Sequence, residues 1–304
     1  MMSSAQLQNL GDAELLDHQA LDLDGASRVT YVLQQSFRYD YDGPVQALKQ
    51  RLVIVPPDRH GAQYRRAHAL FVGGAPAQRR IRHDAHGNVV TALSADHVEQ
   101  MVEFRLTALV ERVQADDPVQ LPRAALTRPG LLRPTPLTEA DDRLRELGLE
   151  LGGRADAPLD QAARICHGVH QVMTYADGVT SVGTTAAQAL AGGAGVCQDF
   201  AHVALGMCRC SGIAARYVSG YFIKLQRQPD EEEASHAWIE VFVPGFGWAA
   251  YDPTHDRPAD ERYIKAASGR DYADIRPVSG TYRGGKTRSL KVDVRVRQPE
   301  AAAL

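Results

Sequence analysis

The sequence is poor in cysteine and tryptophan, with 4 and 2 in 304 residues, and it lacks an apolar run long enough to span a bilayer. Four thiols without a dense spacing pattern exclude a disulfide-stapled secreted scaffold and fit a compartment where cysteine stays reduced. Excess positive charge is missing too: a formal net charge of −3 argues against the clustered basic face that phosphate binding requires. The opening stretch MMSSAQLQNLGDAELLDHQALDLDG has neither the basic start nor the apolar core of a secretory signal. These absences predict a cytoplasmic protein with neither nucleic acid nor membrane as partner. No EF-hand pattern of Asp, Asn, Gly and distal Glu is found, and Cys208 and Cys210 have no second Cys/His pair at finger spacing. No cofactor and no metal are therefore expected, and there is no internal repeat.

What is present is ordinary globular composition, 44% hydrophobic and 23% charged, at a length that predicts two domains. Residues 1–27 read as a flexible lead-in, followed by a β-rich domain over 28–126. In VEFRLTALVERV, Val102, Phe104, Leu106, Ala108 and Val110 share one face while Glu103, Arg105 and Thr107 share the other, as in a half-buried strand. VTYVLQQSFRY, QRLVIVPP, RRAHALFVGG and NVVTALSA are further strand candidates, so an antiparallel sheet or sandwich is expected. TRPGLLRPTPL, residues 127–137, carries three prolines and reads as a linker. A core over 138–285 and a C-terminal strand and tail over 286–304 complete the division.

The core begins with helices and ends in strands, an α+β order. Thr138 and Asp141 resemble a capping pair before RLRELGLEL. In LDQAARICHGVHQVM, Ala162, Ile165, Val169 and Val172 recur at helical spacing, with Cys166 on their apolar side as a buried filler. AAQALAGG predicts a short helix. After it, Phe200, Val203, Ala204 and Met207 form the stripe of a core-facing helix that Gly212 is placed to end, while ARYVSGYFI, HAWIEVFV and GWAAYDP read as strands.

Cys197 thus stands at a helix N-terminus, where unpaired N–H groups and the helix dipole favour thiolate, after a bend containing Gly192, Gly193 and Gly195. A nucleophilic cysteine needs a base and an orienting group. His236 opens one predicted strand and Asp252 closes the next, so a hairpin would set them side by side at one sheet edge. A metal site on Cys197, His236 and His255 is the weaker alternative, because it leaves Asp252 without a task. His202 reads as a packed or surface histidine and PDEEE, residues 229–233, as a solvated loop.

Three blocks, GVCQDFAHVALGMCRCSGIAARYVSGYF, SHAWIEVFVPGFGWAAYDPTHD and RYIKAASGRDYADIRPVSGTYRGG, resemble the signatures of the bacterial transglutaminase-like family, and YDGPVQALKQRLVIVPP resembles its N-terminal accessory domain. The resemblance implies a papain-like transglutaminase core preceded by an antiparallel β-sandwich-like domain. It implies Cys197 as nucleophile, His236 as base and Asp252 as orienter, with Gly195, Gln198, Tyr221, Trp238, His255, Arg270 and Tyr272 as cleft-lining candidates. The expected activity is acyl transfer from an amide or peptide bond through a thioester, by a protease or amidase more than by a cross-linking transglutaminase. The expected partners are a peptide, protein or small amide substrate and, for cross-linking, an amine acceptor. The alternatives are a scaffold that keeps the fold without catalysis and an acetyltransferase-like use of the same triad.

Overall fold

The computed structural model describes residues 28–113, 129–153, 157–223, 235–244 and 247–298. The lead-in 1–27, the end of the β-rich segment, PDEEE and the chain end 299–304 lie outside the described residues.

The first seven strands are β1 (Arg28–Tyr41), β2 (Val45–Leu52), β3 (Arg59–His60), β4 (Gln63–Gly73), β5 (Gln78–His83), β6 (Val89–Val98) and β7 (Met101–Val113). The last two are β15 (Val278–Gly284) and β16 (Thr287–Arg297). They form two antiparallel sheets, ordered β16-β1-β7-β4-β3 and β15-β2-β6-β5. Tyr31, Leu33 and Phe37 of β1, Phe104 and Leu106 of β7, Leu48 and Leu52 of β2 and Leu93 of β6 share one core, which makes the pair of sheets a sandwich.

The reading of this layer from sequence differs in two strands. QRRIRH of β5 is exposed along its whole length, so no apolar alternation announces it. QRLVIVPP contains only the end of β2: Val53, Ile54 and Val55 are buried but lie past it, since an apolar run does not by itself distinguish strand from buried coil.

The helices are α1 (Asp142–Gly152), α2 (Pro158–Val172), α3 (Ala186–Gly192) and α4 (Cys197–Cys210). Asp141, not Thr138, caps α1, accepting from Leu144 N at 2.8 Å; Thr138 instead bonds Thr135 and the Arg209 guanidinium. Thr185 and Gln188 form a capping box at α3, which gives Gln188 a local structural task. Every residue of α4 from Gln198 to Arg209 is buried, so the apolar stripe marks only one side of a helix enclosed all round. Gly212, at φ +76°, lets Ile213 N return to Cys208 O at 2.8 Å and ends α4 as its position predicts.

Between α2 and α3 lies β8 (Thr174–Tyr175), which pairs in parallel with β9 (Ala194–Gly195). The core sheet holds β10 (Ala215–Phe222), β11 (Ser235–Val243), β12 (Gly247–Asp252), β13 (Arg257–Pro258) and β14 (Tyr263–Gly269), ordered β13-β12-β11-β10-β14. Strand β14 is buried at every position and has no alternation to read. One face of this sheet turns Ala237, Ile239 and Val241 to the helices. The other sends Tyr221, Ile223, Ile264 and Ala266 into the sandwich core. The core sheet is therefore the middle layer. Of the last strands, β15 falls within 138–285 yet pairs with β2, and β16 returns to β1.

Candidate active site

The site grows from the start of α4. Val196 precedes the helix and offers no side-chain cap; Asp199 reaches back instead, accepting from Val196 N at 2.8 Å and from Thr180 Oγ at 2.6 Å. A Cβ on Gly195 would stand 2.5 Å from that carboxylate, so glycine is what lets β9 pass this close to the helix start. Cys197, partly buried, is the first helical residue and has no intrahelical acceptor for its N–H.

His236 bridges. Its Nε2 lies 2.7 Å from Asp252 Oδ2, and the ring is close enough to Cys197 for the thiol to act on its protonation. Burial pushes the imidazole pKa down, but the hydrogen bonds to Asp252 and Cys197 and their charges reverse this and lift it from 6.5 to about 10. Asp252 is fully buried. Burial pushes its pKa up, yet hydrogen bonds from His236 and His255 and their charges hold it far below the ordinary carboxylate range. The carboxylate also receives Tyr263 OH at 2.8 Å and Thr254 N at 2.8 Å. The predicted hairpin is the device that joins these groups: β11 and β12 pair from Ile239↔Tyr251 to Val243↔Gly247, and the first strand's start meets the second's end.

Ligand atoms of His236, Asp252 and His255 lie within 4.8 Å of one another, the one such convergence among the described residues. Both imidazoles sit 2.7 Å from the same Oδ2. Ligands around a zinc ion stand roughly 3.3 Å apart at the usual bond lengths. Both histidines are thus at hydrogen-bonding distance from the one carboxylate oxygen.

A match to the transglutaminase-like superfamily core covers residues 145–253, which contain Cys197, His236 and Asp252, and a match to the bacterial transglutaminase-like N-terminal region covers 31–111. A Mycobacterium leprae protein, uncharacterized, is 34% identical over 238 residues, covering 73% of this chain and 82% of its own. The chain belongs to the transglutaminase-like superfamily. An uncharacterized Mycobacterium tuberculosis protein is 29% identical over 305 residues, 91% of each chain. Among solved structures, a Cytophaga hutchinsonii protein described as a candidate cysteine protease shares the fold, with TM-score 0.70 at 23% identity over 89% of this chain and 91% of that one.

Within this transglutaminase-like core the other cleft candidates separate. Trp238 backs the site: it is buried, and its ring lies 6.1 Å from His236 at 26°. Gln198 turns toward the loop before α3, donating to Val182 O at 3.4 Å. Tyr221 points away, donating to Gln35 in the sandwich. Arg270 pairs with Asp274 at 2.8 Å and its carbonyl receives Arg209, about 18 Å along α4 from Cys197 by helical rise. Tyr272 N donates to buried His202 at 3.2 Å, so both serve helix-to-turn packing. Burial raises the Cys166 thiol well above its usual pKa and Cys208 to about 12, as fillers require.

Three residues the sequence did not point to complete the surroundings. Tyr263 binds Asp252, and Phe222 packs against His236 at 5.7 Å. Both depend on β14 pairing with β10, Phe222 opposite Tyr263, an order no local pattern reveals. Tyr175, half exposed and opposite Gly195, is close enough to Cys197 to feel its charge. Its strand partner gave the only signal, and β8 is two residues long.

Proposed function

We propose that this chain is a cysteine-dependent acyl-transfer enzyme acting on amide or peptide bonds, with hydrolysis as its main outcome. The observation that carries this reading is His236 held between Cys197 at a helix N-terminus and a buried Asp252. In the first step His236 takes up the thiol proton. The thiolate attacks the substrate carbonyl carbon, forming the C–S bond and a tetrahedral oxyanion. The Cys197 N–H, free at the helix start, faces that oxyanion as one donor. His236 then gives its proton to the amine nitrogen as the C–N bond breaks, leaving a thioester. Water attacks next and surrenders a proton to His236, and the C–S bond breaks to release the acid. An amine in place of water would give transamidation, but needs an acceptor site of its own.

Iodoacetamide labelling against pH, mapped to each of the four cysteines in wild type and His236→Ala, tests this. Cys197 should label fastest and keep doing so well below the free-thiol pKa of about 8.5, with at least a roughly tenfold loss in His236→Ala. An ordinary thiol curve in both proteins would favour the non-catalytic scaffold.

A further inference from the structure

Asp252 serves two histidines. His255 Nδ1 lies 2.7 Å from Asp252 Oδ2, the same atom and the same distance as His236 Nε2, and the His255 backbone N reaches Oδ1 at 3.4 Å. The His255 ring packs 4.6 Å from Phe222 and 5.0 Å from His236, with a third of its side chain exposed.

We propose that His255 is a positioning residue of this site: its donation to Oδ2 fixes the carboxylate and draws off part of the charge that would otherwise hold the proton on His236. A carboxylate offers roughly four lone-pair positions. Asp252 receives side-chain donors from His236, His255 and Tyr263 on Oδ2 and two backbone N–H groups on Oδ1, so its acceptor capacity is filled and shared. A base must release its proton to a departing amine, and works best with a pKa near the working pH. An undivided Asp252 would hold His236 protonated more firmly still. Other ionisable groups around the pair include Cys197 from α4, Cys166 from α2, whose thiol feels Asp252 and Asp256, Arg257 of β13 and Asp260, which both act on Tyr263, and Arg262, 5.8 Å from the Phe222 ring centroid. None of them donates to Oδ2 among the described contacts.

This inference rests on the Cys197–His236–Asp252 reading, and its test is read without substrate. The probe is the His236 ring signal in a histidine NMR titration of the full chain, assigned with His236→Ala. His255→Leu should raise the His236 midpoint by about one unit, because a hydrogen bond competing for its counter-charge is gone. His255→Asn, whose amide nitrogen can occupy the Nδ1 position, should keep the wild-type midpoint. Tyr263→Phe removes another Oδ2 donor and should shift it upward as well, which preserves the test if His255→Leu does not fold. An unchanged or lowered midpoint in His255→Leu overturns the proposal. So does an equal rise in His255→Asn, which would assign the effect to charge and not to the hydrogen bond. If Cys197 alkylation is insensitive to His236→Ala, it is the triad reading that fails.

Discussion

Cys197 owes its setting to position: a helix start without a side-chain cap, a glycine that admits a close carboxylate, and an imidazole locked from behind. Asp252 is the lock. Asp252→Asn would leave one acceptor oxygen where the carboxylate has two, so it cannot accept both from the histidines and Tyr263 on one side and from the Thr254 N–H on the other, and it removes the charge that keeps His236 protonated. Cys197 alkylation at about pH 6 is therefore expected to fall by at least a factor of ten, a loss of roughly one pKa unit in the ion pair. Cys210, partly exposed on the last turn of the same helix, is the internal control whose rate should not move. Cys197, His236 and Asp252 were legible because each stands where an element begins or ends, and such boundaries leave marks in sequence. Tyr263 was not, since its role follows from which strand lies beside which.

At the level of elements, the join between β10 and β14 holds Tyr263 in reach of Asp252. The pairing shifts register between Ser219 and Gly220, directly opposite His236 on β11. A Cβ on Gly220 would collide with the Ile264 carbonyl and come 2.5 Å from the Trp238 ring. Backbone does not yield as a side-chain tip does, so Gly220→Ala should cost about 3 kcal/mol, the upper range of overpacking. Denaturant midpoints measure that cost. A second readout follows from the place of the clash: Cys197 alkylation should slow in the fraction that remains folded, because Trp238 backs the His236 ring. A full stability loss with unaltered reactivity would uncouple this strand pair from the site. Helices were readable from their apolar stripes, although the cap of α1 falls on Asp141 and not Thr138, whereas β5 and β14 carry no alternation, one being wholly exposed and the other wholly buried.

Across the whole molecule the sandwich reaches the site's own strands. Gln63 exchanges two 2.8 Å bonds with the Lys265 backbone, and Asn88 does the same with Ser268. Glu240, on the strand that carries His236, takes His60 at 2.6 Å, Arg216 at 2.6 Å and Lys265 at 2.8 Å. Sequence named β4 and β11 but not β3 or β14, and it could not join elements some 180 to 200 residues apart. The joint has a consequence for stability against pH. His236 is raised in the fold from 6.5 to about 10, so its contribution is full below 6.5 and is lost as pH rises toward 10. Lys265 is lowered from 10.5 to about 7, first by burial and then by the Arg216 charge, so its cost is lifted as pH rises from 7 to 10.5. The two slopes oppose each other, each near 1.36 kcal/mol per pH unit at full separation. Between about pH 7 and 8.5, Lys265→Met should lose roughly 1.5 kcal/mol of stability relative to wild type, and His236→Gln should gain about as much. The comparison is made in a Cys197→Ser background, because that thiol titrates together with His236; the remaining titrating groups are common to all three proteins. Urea unfolding at both pH values decides it: parallel profiles for all three would mean that neither group changes its proton affinity on folding, whereas opposite tilts would tie the His236 imidazole and Lys265 to one pH balance.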